Sequence, residues 1–126
     1  MDNNQINAML EEMKVMPEKI KKAQLVVSFL KETIYREEQE LDIISLPMEK
    51  RANDEGKNDK GRPLLLREFI LDNETYLKKQ GGIDDYKYQL SKALIEETFL
   101  SSQFSVMKIQ ARLETALIGK TNGDTD

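Results

Sequence analysis

Glu37, Glu38 and Glu40 are the residues of this sequence whose spacing comes nearest to supporting a reaction. Glu37 and Glu40 stand three apart, so on a helix both carboxylates share one face, the layout of a carboxylate-only magnesium site. Such a site takes a second acidic pair from a later helix. Glu96 and Glu97 are adjacent but lack a Glu-x-x-Asp spacing, and a solvated helix face accounts for the same charges. With no His and no Cys in 126 residues, the usual zinc sites, thiol nucleophiles and His-based triads cannot be assembled. The Glu-x-x-His pairs of a di-iron bundle are equally out of reach. Residues 56–61 begin and end in glycine but run on into Arg62-Pro63, and no strand precedes them, so they make no phosphate-binding loop. The expectation is a chain without enzymatic activity, cofactor or metal.

Binding is the chemistry left. Lys50, Arg51, Lys57, Lys60 and Arg62 form one basic cluster and Lys14, Lys19, Lys21 and Lys22 another. The first is the candidate for nucleic-acid contacts, although no aromatic residues are interleaved with it for base stacking. Glu49, Asp54, Glu55 and Asp59 nearly balance it. A net charge of −4 and a pI near 5.0 exclude a broad basic face for wrapping duplex DNA. Met9, Met13 and Met16 are a candidate docking surface for a partner protein, because flexible thioethers repack against varied shapes. The same residues would also serve as core.

These residues must be positioned by helices. Ile6, Met13, Ile20, Val27, Ile34 and Leu41 recur every seven residues, with Met9, Met16, Ala23, Leu30 and Ile44 three residues after the corresponding members. That register describes a helix seam seeking another helix. Pro17 removes a backbone donor, so the spacing predicts a kink or a restart there. Glu37 falls where an apolar residue is expected, either at a fraying end or as a buried charge that sets specificity. The breakers Pro47, Gly56, Gly61 and Pro63 bracket a polar stretch, and Gly81-Gly82 interrupts the next helical pattern. The predicted elements are helices over 5–15, 17–46, 64–80 and 83–118, with Asp72 or Asn73 as a cap inside the third, a long polar loop over 47–63, and a disordered tail over 119–126. One domain over 1–118 follows from the length.

The last helix carries two apolar rows. One joins Ile83, Tyr86, Leu90, Ala93, Leu100, Phe104, Met107 and Ala111; the other joins Ile95, Phe99, Val106, Ile109, Leu113 and Ala116 or Leu117. A helix apolar on two sides touches more than one partner. The expected architecture is therefore all-α, an antiparallel helical hairpin or coiled-coil bundle that forms a homo-oligomer. Its oligomer or partner seam would be Ile20, Val27, Leu30, Ile34, Leu41, Leu100, Phe104 and Met107. A composition of 39% hydrophobic and 33% charged residues fits such a fold. No run approaches the ~18 apolar residues of a membrane span, and residues 1–5 lack the basic start of a signal peptide. The expected location is cytoplasmic, with no membrane partner.

From Asn58 onward the chain resembles small helical-hairpin proteins of phages and other mobile elements. The resemblance covers about residues 58–118 and is carried by Lys60, Arg62, Leu65 through Leu71, Asp72, Tyr76, Phe104, Lys108, Ala111 and Leu117. It implies a non-enzymatic accessory protein that binds a partner protein or nucleic acid in DNA replication or recombination. A small inhibitor or adaptor that sequesters a host or phage regulatory protein is the alternative. Prefoldin-like client binding is a third, but the strand-forming segment between the helices is missing.

Overall fold

The computed structural model describes the backbone of residues 1–124 and the side chains of residues 1–118. Three helices account for nearly all of it: α1 (Asn3–Glu55), α2 (Gly61–Leu71) and α3 (Glu74–Asp124). No strand occurs among the described residues.

Helix α1 starts from a reciprocal cap. The Gln5 N–H donates to Asp2 Oδ1 at 2.7 Å, and the Asp2 N–H donates to Gln5 Oε1 at 3.0 Å. Two otherwise unpartnered donors are satisfied at once. The helix then continues through Pro17 and Pro47 to Glu55, so neither the split at Pro17 nor the loop from 47 is formed. Each proline costs roughly 3 kcal/mol in a helix interior. Each large apolar side chain buried along the seam returns about 1.5–3 kcal/mol, and the seam is long. Beyond Pro47 the stretch read as loop buries Met48 and Ala52 and is braced by an Arg51–Glu55 pair one turn apart.

The true loop is residues 56–60. Asn58 organises it, its Oδ1 accepting the N–H groups of Lys60 at 3.1 Å and Gly61 at 2.6 Å. A second turn separates α2 from α3, where Asn73 Oδ1 accepts the Tyr76 N–H at 2.9 Å. Asn73→Ala is expected to cost about 0.5–2 kcal/mol in urea unfolding, whereas Asn73→Asp, which keeps the acceptor, should hold most of that stability. Equal losses in the two variants would show that the cap is not the stabilising contact.

Helix α3 runs through Gly81 and Gly82 and past Gly119 to Asp124. A glycine costs only about 1 kcal/mol in a helix interior, too little to end the helix at Gly81-Gly82, where Ile83 is buried. Residues 119–124 of the expected tail thus continue α3, and 125–126 lie outside the described residues.

The chain divides into two compact units. In the unit built from Met1–Val27 and Lys92–Asp126, Met9, Met16 and Met107 form a buried cluster, with Met13, Leu100, Phe104 and Ala111 packed around it. The unit Ser28–Ser91 buries Leu30, Ile34, Met48, Ala52 and Ile83. Its two buried hydroxyls stay satisfied, Thr33 donating to the Phe29 carbonyl at 2.8 Å and Ser45 to the Asp42 carbonyl at 2.9 Å. In both units the heptad positions face inward.

Candidate functional site

The residues expected to form an oligomer seam are occupied within the chain itself. Val27, Leu30, Ile34 and Met107 are buried, and Ile20, Leu41, Leu100 and Phe104 are half-buried. The methionine docking surface meets the same fate: Met9 and Met16 are buried and Met13 is half-buried. These side chains pack α1 and α3 together before any partner arrives. In the sequence, one apolar row looks the same whether its cover comes from the same chain or from another.

The acidic triplet is neutralised by lysines of α3. Lys79 bridges Glu37 and Glu40 through hydrogen-bonded ion pairs, and Lys87 Nζ lies 3.1 Å from Glu38 Oε1. Glu37 is therefore a half-buried paired charge rather than a frayed end. Among the described residues no group of three or more Asp or Glu side chains converges as a metal site would require. Lys79 carries no site signal in the sequence, since Gly81-Gly82 marks an expected helix end just beyond it.

Hydrogen bonding to Lys79, and then the lysine's charge, hold the Glu40 carboxyl below its ordinary 4.5. Hydrogen bonds to Glu37 and Glu40 raise Lys79 above its ordinary 10.5. The lowered carboxyl contributes stability above 4.5 that fades as pH falls through its folded value. The raised ammonium contributes stability below 10.5 that fades as pH rises through its folded value. Thermal unfolding of the wild type and of Lys79→Met should accordingly differ most between pH 4.5 and 10.5 and converge on both sides. A constant gap at every pH would remove the ion pairs as its cause.

The five basic residues proposed for nucleic acid lie at the end of α1, in the 56–60 loop and at the start of α2, and all five are exposed. Two have other work. Arg51 pairs with Glu55 at 2.9 Å and lies 4.3 Å from the centre of the Phe69 ring, while Arg62 sits 3.7 Å from Asp59. Arg51, Phe69, Asp72 and Asn73 line a cleft of about 720 Å³ with Pro47, Met48 and Glu74. This cleft carries acids beside its one arginine, so it does not concentrate positive charge.

The second apolar row of α3 remains uncovered. Ile95, Phe99, Val106, Ile109 and Leu113 are each 56–70% exposed. They fall at alternating spacings of four and three or seven residues, so they make one stripe along the helix. Between them, residues 98–107 carry no charge, in a chain that is 33% charged. A solvated helix face would carry Lys and Glu at such positions. Contiguous apolar surface of several hundred Å² marks an interaction site, and this stripe is the strongest candidate on the described residues. No helix among the described residues is long and apolar enough to cross a membrane.

No protein-family model, no curated protein and no solved structure matches this chain.

Proposed function

We propose that the chain is a non-enzymatic accessory protein that works by presenting helix faces: it self-associates and binds a partner in DNA replication or recombination, as the resemblance to phage and mobile-element proteins implies. The observation that carries this reading is the stripe from Ile95 to Leu113, apolar and exposed after the inner seam has been filled. Contacts within each unit favour an antiparallel pairing of α1 with α3. In one unit, Met13 lines a cleft with Phe104 and Lys108 while Val26 lines another with Ala93 and Leu100; in the other, Glu40 meets Lys79 while Met48 meets Asn73.

A protein partner is favoured over nucleic acid, since Arg51 and Arg62 are engaged and only Lys50, Lys57 and Lys60 of the cluster lack a described acidic partner. Gel shifts with single- and double-stranded DNA at two salt concentrations separate these. A salt-sensitive shift that weakens when the three lysines become Gln would return nucleic acid to first place. The protein reading is tested by capturing the partner from the native host with the tagged chain and with an Ile109→Glu variant. Capture that survives the substitution, with helicity unchanged, would move the site away from this stripe.

A further inference from the structure

We propose that the occupant of the α3 stripe is the same stripe of a second copy, packed antiparallel about a two-fold axis at the level of Phe104. This rests on the reading of the chain as self-associating and adds the face, the direction and the register.

The register follows from the spacing. Phe99, Val106 and Leu113 recur every seven residues, and Ile95, Ser102 and Ile109 do so on the neighbouring line. In an antiparallel pair the two lines face each other. One alignment then matches every layer: Phe99 meets Ile109 of the second copy, Val106 meets Ser102, and Leu113 meets Ile95. Large residues oppose apolar or small ones throughout.

The flanks fit the same alignment. Gln103 faces Gln103, Ser105 faces Ser105, Glu96 faces Gln110 and Arg112 faces Thr98. No like charges oppose each other, and a surface that is its own complement is what a two-fold interface requires. A hetero-partner would leave the absence of charge over 98–107 without this self-matching reason.

The area also fits. At 56–70% exposure, the five large residues offer on the order of 600 Å² per chain, and the flanking Thr98, Ser102, Ser105 and Arg112 bring it near the ~800 Å² per partner of a stable interface.

Two kinds of variant test this in the full chain. Val106 is exposed, so Val106→Glu should leave helicity unchanged while weakening the dimer roughly 30-fold or more in sedimentation equilibrium, and its melting should match that of wild type diluted to monomer. Leu64→Glu, equally exposed on α2, should leave association intact.

The absence of Cys makes single-cysteine cross-linking free of background. With a short bismaleimide, Ser105→Cys should join to its own copy. Arg112→Cys should not, because antiparallel packing sets its two copies about 24 Å apart along the helix.

Efficient self-joining at both positions would overturn the antiparallel register in favour of a parallel one. A wild type that stays monomeric at high concentration would overturn the proposal altogether. If that monomer still loses a host partner on Ile109→Glu, the accessory-protein reading survives and only the second copy is excluded.

Discussion

Met16→Ala should destabilise the protein by about 2–5 kcal/mol, the range for emptying a fully packed site that cannot collapse around the loss. Met16 has no exposed surface and belongs to one buried cluster with Met9 and Met107, with Met13, Leu100, Phe104 and Ala111 packed on the cluster. The thioether chain fills an irregular gap that a methyl group cannot reach. Its neighbour Val15 points outward and is 48% exposed, so Val15→Ala should stay within about 0.5 kcal/mol of wild type. Urea unfolding of the pair measures both. Equal losses would mean that the methionine cluster is not the core of its unit.

Gly56→Ala should be the other severe substitution, at about 1–3 kcal/mol. The cause is crowding rather than an unusual backbone angle, since no described glycine has a positive φ. A Cβ at Gly56 would stand 2.3 Å from Arg62 Cγ and 2.7 Å from the Ala52 carbonyl oxygen. Neither atom is the free end of a side chain, so the chain itself must shift where α1 ends and the loop turns toward α2. Gly81 and Gly82 give the opposite result, because a Cβ at either meets nothing within 4 Å. Replacing either by Ala should stabilise α3 by about 0.5–1 kcal/mol, by removing backbone freedom from the unfolded chain. Thermal melts of the three variants should place wild type between Gly56→Ala and the other two. A Gly81→Ala variant that melts below wild type would mean that helix propensity does not govern this position.

The heptad register from Ile6 to Ile44 was legible in the sequence and coincides with the inward line of α1, where Met9, Met16, Val27, Leu30 and Ile34 are buried. Of the kink or restart expected at Pro17 the restart does not occur, and the breaks expected at Pro47 and Gly81-Gly82 do not form; local propensity overstated all three. A true break resets the phase of the apolar pattern, and none of these does. Met13, Met16 and Ile20 keep their spacing across Pro17, as Lys79, Ile83 and Tyr86 do across the glycines. Had that phase been followed back from Ile83, Lys79 would have emerged as a seam position, where it meets Glu37. The exposed row of α3 was visible as a second apolar line. Which of the two rows the chain would cover by itself depends on tertiary packing, and no local pattern encodes it.

The three-way contact of Lys79 with Glu37 and Glu40 bears on a weakness of any repeating seam. An apolar pattern that recurs every seven residues fits almost as well after one helix slides by a full repeat, about 10.5 Å. Such a slip would bring Tyr86 to the place of Lys79 and take the ammonium away from both carboxylates. One polar layer in a uniform seam therefore acts as an index mark. The greasy positions hold the helices together at any of several notches, and the lysine says which notch is home.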